Sequence, residues 1–285
     1  MPSLAIIKSG LMTSIQDHGR KGWMYYAIPR SGAMDNRAAQ LALKLLGKAS
    51  GEAVIECTSI APHILFHQKT LIAITGADFD WSLEDKKVVL NQIIEVEAGA
   101  ILRGKIAKNG LRGYLAIQGK VALEQVYDSY STYQNARIGG FQGRFLQKGD
   151  VLKWEGQEGV MKGSVYENSL IFSDIVPIQK GPEFDHLTPL SESLLLESDY
   201  KISAESNRMG VRLQGTPLTA TSYQLKHSLP VLPGFVQLPP SGLPIIILQD
   251  GQISGGYPRI AYVRGRDLSL LNQIPLAGHF RFMLE

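Results

Sequence analysis

The stretch LPIIILQDGQISGGYPRIAYV, residues 243–263, decides how the fold is read. Gly251 and Gly256 stand at the spacing of a phosphate-binding P-loop, but that motif continues with Lys and Ser or Thr, and here Tyr257 and Pro258 follow. The next residues, RIAYV, alternate and are β-branched, which is typical of a strand. We therefore predict a strand, a glycine loop and a second strand, with no Walker motif.

Short β-branched or alternating runs recur along the whole chain. Glycine-containing turns such as KNG, QKGD and PSG separate them. Long helical patterns between the runs are few, which argues against a parallel βαβ fold. The predicted fold class is mainly β, a barrel or sandwich with a few short helices. The predicted strands are LIAIT (71–75), QIIEVEA (92–98), GYLAIQG (113–119), VLKW (151–154), IIIL (245–248) and RIAYV (259–263).

Three short helices are predicted from their capping signals. The first runs from its cap, Asp35, to about Leu46, because apolar residues recur at helical spacing between them. The second begins at Thr188, since Pro189 is suited to the first helical position. The third is a single turn over residues 267–273.

The composition indicates an ordinary globular protein made of two lobes. The polar, glycine-rich stretch 155–169 predicts a connection between an N-terminal β lobe, 1–154, and a C-terminal β lobe, 170–285. The 29 basic and 26 acidic residues nearly balance and form no long runs, which argues against nucleic acid or an anionic membrane as the main partner. No signal-peptide pattern and no bilayer-length apolar run is present, so a cytoplasmic location is predicted.

Several kinds of catalytic site find no support in the sequence. His63 and His67 are four residues apart in a predicted strand, roughly 13 Å along it, which is too far to chelate one metal ion. The other histidines are isolated, so no metal site is predicted. There is no GxSxG nucleophile elbow and no GxGxxG motif. Cys57, the single cysteine, lies in an apolar stretch and is predicted to be a buried structural thiol.

The remaining polar residues of interest fall in glycine-containing loops. Taken singly, each loop has a structural explanation: glycine for positive φ, Asp or Asn for turn closure, and Arg for a surface ion pair. The fourth loop, ESNRMGVRLQG (205–215), differs because it brings Asn207, Arg208 and Arg212 close together. Guanidinium groups beside glycine amides suit a carboxylate or phosphate. The five loops are TSIQDHGRKGW (13–23), IPRSGAMD (28–35), TGADF (75–79), ESNRMGVRLQG (205–215) and GQISGGYPRI (251–260).

In this order, the loops resemble the KipA-like family. That family is also called allophanate hydrolase subunit 2 and includes the C subunit of the bacterial 5-oxoprolinase. The pair SNRMG (206–210) and GGYPRIA (255–261) is highly specific for it, and the resemblance covers nearly the whole chain. It implies cyclophilin-like β-barrel lobes. Further matching stretches are GYLAIQG, STY…IGGFQGR, GPEFD and PGFVQLPPSGLPIIIL.

The resemblance implies a component of a multi-subunit enzyme. In the bacterial 5-oxoprolinase, the C subunit works with the A subunit and a KipI-like B subunit to convert 5-oxo-L-proline to L-glutamate, coupled to ATP hydrolysis. The C subunit is therefore expected to be inactive alone. No nucleotide motif is visible in this chain, so ATP is expected to bind in an unfamiliar way or on a partner.

Two alternative functions remain open. Homologous regions of urea amidolyase form a carboxyltransferase that acts on urea with a biotin carrier, and this chain has no biotinyl segment of its own. KipA-like proteins also act as regulators that bind a KipI-like partner. Four departures from the family pattern favour regulation or an altered active site: Lys120, Asp128, Tyr130 and Ile253.

The resemblance also suggests roles for residues in the loops. The arginines are expected to hold a carboxylate or phosphate, the amides to bond a lactam edge, the tyrosine to form a wall, and the aspartates to act as bases or to bind a metal-held water. The predicted catalytic residues are Asp17, Asp78 and Arg208, and the predicted substrate-binding residues are Asn207, Arg212, Gln252, Tyr257 and Arg259.

Overall fold

The computed structural model describes residues 1–156 and 174–285, which divide into two compact units. The first holds residues 1–21 and 31–156, and the second holds residues 22–30 and 174–285. The predicted connection 155–169 lies outside the described residues except for its first two positions. The lobe boundaries therefore stay a prediction. The grouping of 22–30 with the second unit was not expected from the sequence.

The first unit consists of two sheets that face each other across an apolar core. One sheet has the order β11-β12-β1-β4-β9-β6-β7 and the other β2-β3-β10-β5-β8. The strands are β1 Ser3–Lys8, β2 Ser14–Gln16, β3 Val54–Thr58, β4 His63–Phe66, β5 Thr70–Asp78, β6 Ser82–Leu83, β7 Lys86–Lys87, β8 Ile93–Val96, β9 Ile101–Arg103, β10 Asn109–Ile117, β11 Lys120–Val121 and β12 Val151–Glu155.

Strand alternation explains how the five-stranded sheet is covered on both faces. In β5, Ile72 and Ile74 point into the core between the sheets, whereas Ala73 packs against the first helix, α1, Asn36–Leu45. In β10, Leu115 joins the same inter-sheet core. Successive residues of a strand point to opposite faces, so nearly every residue of these two strands is buried, as their continuous apolar sequences predict.

The helix predicted from Asp35 is confirmed. The Asp35 carboxylate caps α1 by accepting hydrogen bonds from the backbone N–H groups of Arg37 (3.1 Å) and Ala38 (3.2 Å). Cys57 is buried, as predicted, and burial raises the pKa of its thiol, with Glu56 contributing in the same direction.

The second unit is built on a closed barrel of seven strands. Its order is β13-β20-β17-β18-β15-β14-β21, and the parallel pairing of β13 with β21 closes it. A separate two-stranded ribbon pairs β16 with β19. The strands are β13 Ile175–Lys180, β14 Tyr200–Ile202, β15 Gly210–Gln214, β16 Leu229–Pro230, β17 Phe235–Gln237, β18 Ile245–Ile247, β19 Ser254–Gly255, β20 Arg259–Tyr262 and β21 His279–Leu284. The mainly β fold class is thereby confirmed.

Two helices and three short 3-10 turns complete the described structure. Helix α2, Pro189–Glu197, is capped by Thr188 as predicted. Helix α3, Gly265–Leu271, begins and ends two residues before the predicted turn, because the Arg264 carbonyl accepts the first hydrogen bonds from Asp267 and Leu268. The 3-10 turns are Met24–Tyr26, Gln134–Ala136 and Phe184–His186. None of the helices in residues 1–156 and 174–285 has the length and apolar character needed to cross a membrane.

Candidate functional site

The second unit carries a cavity of about 490 Å³ on the outer face of its barrel. Val211 and Leu213 of β15 are buried, whereas Arg212 between them points to the opposite, outer face and lines the cavity. Two of the loops singled out in the sequence, the fourth and the fifth, border the same cavity. Its polar lining residues come from three segments of the chain: Ser203, Glu205, Asn207, Arg212, Gln214, Gln237, Ser241, Gln252 and Tyr257.

Strand register places two polar side chains in one row beside the cavity. Arg212 of β15 is directly opposite Ile245 of β18, and Ile245 is directly opposite Gln237 of β17. Opposite residues point to the same face of a sheet, so Arg212 and Gln237 flank Ile245 at roughly 10 Å from each other. This spacing leaves room for a small molecule over Ile245, with Arg212 at one side.

Arg212 is an exposed guanidinium without an ion-pair or hydrogen-bond partner for its side chain in the described part of the chain. Its backbone is held in place by Ser206, whose hydroxyl accepts from the Arg212 N–H at 3.0 Å. The backbone is therefore fixed while all the side-chain donors stay available. Such a group suits a carboxylate or phosphate, which it can bind through two parallel hydrogen bonds.

Arg208 has a different environment from Arg212. It is buried, and its guanidinium binds the Asp250 carboxylate through Nε (2.8 Å) and Nη2 (3.3 Å). In addition, the Asp250 N–H donates to the Arg208 carbonyl at 3.0 Å. These bonds tie the fourth loop to Asp250, the residue that immediately precedes the fifth. Arg208 does not line the cavity, so the geometry favours a positioning role for it.

The amides of Gln237 and Gln252 form a directional chain of hydrogen bonds. Gln237 donates through Nε2 to the carbonyl of Tyr257 (3.4 Å), and its Oε1 accepts from Nε2 of Gln252 (2.9 Å). Because a backbone carbonyl can only accept, the orientation of Gln237 follows from Tyr257, and that of Gln252 follows from Gln237. The Oε1 acceptor of Gln252, which lines the cavity, is left for a ligand donor.

Asn207 offers the cavity a hydrogen-bond donor, whereas Gln252 offers an acceptor. Its Oδ1 accepts a hydrogen bond from the Met209 N–H at 2.8 Å, so its amino group is left as a donor. The cavity wall thus offers a donor from Asn207, an acceptor from Gln252 and a cation from Arg212. Tyr257 also lines the cavity and is exposed, and its role as a wall stays a prediction.

Arg259 lies on the same barrel but does not line the cavity. Its Nε and Nη2 donate to Glu183 at 2.9 and 2.7 Å, and its Nη1 donates to the carbonyl of Pro230 at 2.8 Å. The guanidinium lowers the pKa of Glu183, and the carboxylate raises the pKa of Arg259. The guanidinium also stands over the ring of Phe235, so its donors are used within the fold.

The two predicted bases, Asp17 and Asp78, belong to the first unit. The Asp17 carboxylate is buried and accepts from the N–H groups of Gly19 (2.7 Å) and Tyr130 (2.6 Å) and from the hydroxyls of Ser129 (2.7 Å) and Ser131. Asp78 accepts from the N–H of Asp80. Both carboxylates hold loops, and neither lines the cavity of the second unit.

Among the cavity residues that were not singled out from the sequence, two have groups that the site can use. Glu205 is the one carboxylate among the described residues that line it. Gln237 is almost fully buried in an otherwise apolar strand, and a polar residue in such a run is a signal that the sequence did contain. Within the described ranges, no cluster of three or more His, Cys, Asp or Glu side chains could hold a metal ion.

Comparison with known proteins places these features in a family. The chain matches the model of the carboxyltransferase domain, subdomains A and B, over residues 26–284. It is 34% identical over 280 residues to the 5-oxoprolinase C subunit of Escherichia coli K12, a match that covers 98% of this chain and 90% of that protein. It is 35% identical over 274 residues to the 5-oxoprolinase C subunit of Haemophilus influenzae, covering 94% and 87% of the two chains.

Structural similarity extends to a larger enzyme. The crystal structure of urea amidolyase from Kluyveromyces lactis superposes with a TM-score of 0.91 and 26% identity, covering 99% of this chain and 18% of that one. The barrel and the family match together define the class, and the chain belongs to the carboxyltransferase-domain family. Within that family, its near-full-length relatives include the C subunits of 5-oxoprolinase, which confirms the resemblance carried by the loop motifs.

Proposed function

We propose that this chain is the C subunit of an ATP-dependent 5-oxoprolinase, which converts 5-oxo-L-proline to L-glutamate, and that the cavity beside Arg212 binds the substrate. The observation that carries the site is the contrast between three arginines. Arg208 and Arg259 are ion-paired within the fold, whereas Arg212 lines the cavity with its guanidinium unpaired in the described structure. Identity of 34% over nearly the whole of a 5-oxoprolinase C subunit supports the activity.

The polar groups of the cavity complement those of 5-oxoproline. The substrate carries a carboxylate, which suits the Arg212 fork. Its lactam edge carries one N–H donor and one carbonyl acceptor, which match the free acceptor of Gln252 and the free donor of Asn207. A site built to satisfy both lactam groups rejects analogues that lack one of them, because its own polar groups would be left unpaired.

The lactam resists hydrolysis because amide resonance makes its carbonyl carbon a poor electrophile. Transfer of the ATP γ-phosphoryl group to the carbonyl oxygen, with release of ADP, makes that carbon open to attack by water. Cleavage of the carbon–nitrogen bond and hydrolytic loss of phosphate then yield glutamate. Donors near the developing charge stabilise such steps. Glu205 is the carboxylate in the cavity suited to accept a proton from water, and the base roles of Asp17 and Asp78 stay predictions.

The proposal includes partners. The enzyme is completed by an A subunit together with a KipI-like B subunit, the chain is inactive alone, ATP is used by the complex, and the location is cytoplasmic. The test is ATP-dependent glutamate release from 5-oxoproline by the three subunits together, with each omitted in turn. We expect activity only in the full mixture. A full mixture that assembles but releases no glutamate would contradict the proposal.

Carboxyl transfer is the second candidate function. The family match to a carboxyltransferase domain and the superposition on urea amidolyase favour it, since the donor of Asn207 and the acceptor of Gln252 also complement urea or the ureido ring of biotin. The discriminating measurement is carboxylation of urea in the presence of a biotin carrier and biotin carboxylase. Carboxylation without any glutamate release from 5-oxoproline would replace the first function by the second.

A further inference from the structure

The first unit also carries a cavity, of about 750 Å³, which lies on the outer face of its seven-stranded sheet. Residues from five neighbouring strands meet there in direct register. Lys8 of β1 is opposite His63 of β4, His63 is opposite Arg103 of β9, Arg103 is opposite Ser82 of β6, and Ser82 is opposite Lys87 of β7. All five line the cavity, and we refer to them as the basic row.

The side chains of the basic row share one face of the sheet. Ile64 and Leu102, the neighbours of His63 and Arg103 along their strands, are fully buried in the inter-sheet core. Since successive side chains alternate, His63 and Arg103 point away from that core. A register shift between Ile6 and Lys8 brings Lys8 opposite His63 on the same outer face. The row therefore crosses the sheet at right angles to its strands.

The histidine of the basic row lies between two positive charges. Basic residues directly opposite each other on neighbouring strands destabilise the pairing. His63 lies directly between Lys8 and Arg103 in the row, so a proton on His63 would face a positive charge on each side. Burial lowers the pKa of His63, and the positive charges of Lys8 and Arg103 lower it further. The lowered pKa keeps His63 neutral at neutral pH, so Lys8, Arg103 and Lys87 carry the positive charge of the row.

The acidic groups near the row do not neutralise it. Asp80 is held by Lys105 at 2.9 Å and by Lys108 at 3.2 Å. The side chain of Asp85 is 94% exposed and lies 3.9 Å from Nη1 of Arg103, which makes the contact a weak one that an anion can displace. In the described part of the chain, neither Lys8 nor Lys87 forms an ion pair.

We propose that the basic row binds the phosphate chain of a small phosphorylated ligand. Lys8 and Arg103 lie on either side of β4, roughly 10 Å apart, a distance that suits several linked phosphates, whereas one guanidinium fork already satisfies a single carboxylate. Arg103 supplies the fork, Lys8 and Lys87 supply point charges, and the Ser82 hydroxyl supplies a further donor. This site lies in the first unit and does not depend on the proposed function of the second.

The experiment is calorimetric titration of the full chain, at low ionic strength, with inorganic tripolyphosphate, with ATP and with adenosine. Arg103→Gln and Lys8→Gln are expected to weaken phosphate binding about tenfold or more, because each removes a charged donor. Lys148→Gln, which removes an exposed lysine outside the cavity, is the matched control and should change nothing. Equal binding of tripolyphosphate and ATP would identify a site for phosphate alone, and tighter binding of ATP would identify a nucleotide.

Two results would overturn the inference. One is the absence of binding of both tripolyphosphate and ATP at millimolar concentration, and the other is binding that Arg103→Gln and Lys8→Gln leave unchanged. Thermal unfolding separates a binding role from a structural one. Without ligand, Lys8→Gln should unfold at about the same temperature as the parent chain, since Lys8 is exposed and forms no ion pair in the described part of the chain. Failure of glutamate release by the complex would leave this binding result standing, so the two proposals can fail separately.

Discussion

At the residue scale, the decisive property of each polar side chain is whether the fold already uses its hydrogen-bonding groups. Asp250 and Glu183 occupy Arg208 and Arg259, whereas Arg212 keeps its donors for a ligand. The partners lie 42 and 76 residues away in the chain. For this reason, the three arginines could be selected from the sequence, but which of them faces the cavity could not be predicted.

The hydrogen bonds that link Tyr257, Gln237 and Gln252 allow a test of whether Gln237 positions Gln252. Gln237→Met keeps the volume of a buried side chain but removes the group that orients Gln252. In the reconstituted enzyme, we expect kcat/KM for 5-oxoproline to fall about tenfold. A loss of about this size corresponds to roughly one hydrogen bond between uncharged groups. Gln252→Met should cause a similar loss, and the double variant should lose little more, since both changes remove one contact. Additive losses would show that Gln237 does not act through Gln252.

The pair of Glu183 and Arg259 gives a pH dependence. Because the pKa of Glu183 is lowered by Arg259 in the folded chain, the pair stabilises the fold above the ordinary glutamate pKa, and that contribution is lost as the pH falls through the lowered value. Glu183→Gln should reduce the free energy of unfolding by about 1.5–3 kcal/mol at neutral pH. The difference from the parent chain should shrink in acid. Denaturant unfolding of both chains, measured from neutral pH down into acid, checks this prediction. A difference in the free energy of unfolding that stays constant with pH would contradict the role given to the Glu183–Arg259 pair.

At the element scale, local capping rules predicted the helices well, and strand register determined the sites. Asp35 and Thr188 begin α1 and α2 as expected, because their side chains bond the first free N–H groups of each helix. Register between strands distant in sequence cannot be read from local patterns. It alone brings Arg212 beside Gln237, and His63 between Lys8 and Arg103.

Helix α1 is held on the sheet by a buried polar network. The Tyr114 hydroxyl donates to Glu56 (2.9 Å) and accepts from the Asp35 N–H (2.7 Å). Burial raises the pKa of Tyr114, so the hydroxyl stays protonated. Tyr114→Phe should lower the free energy of unfolding by about 1–3 kcal/mol, because it leaves buried polar groups with fewer partners. Tyr25→Phe, at an exposed tyrosine, is the control, and equal effects of the two changes would argue against the network.

At the scale of the whole molecule, the family assignment came from loop motifs and the mainly β class from strand patterns. The chain's similarity to carboxyltransferase domains and to 5-oxoprolinase C subunits confirms the family, and the observed sheets and barrel confirm the mainly β class. The division of the chain into lobes is harder to predict from the sequence. Residues 22–30 cluster with the second unit although they are far from it in sequence. Contacts of that kind depend on the folded chain and leave no local compositional signal.

The claim that the cavity beside Arg212 binds the substrate is tested most directly with the Arg212→Ala variant. The quantity to measure is kcat/KM for ATP-dependent glutamate release by the reconstituted enzyme that carries this change. The control is Arg281→Ala, which removes an exposed arginine on β21 outside the cavity. We predict a loss of about 10- to 100-fold for Arg212→Ala, the value of a charge-assisted hydrogen bond, with assembly intact and no loss for Arg281→Ala. Full activity of Arg212→Ala in an assembled complex would contradict the claim that this cavity binds the substrate.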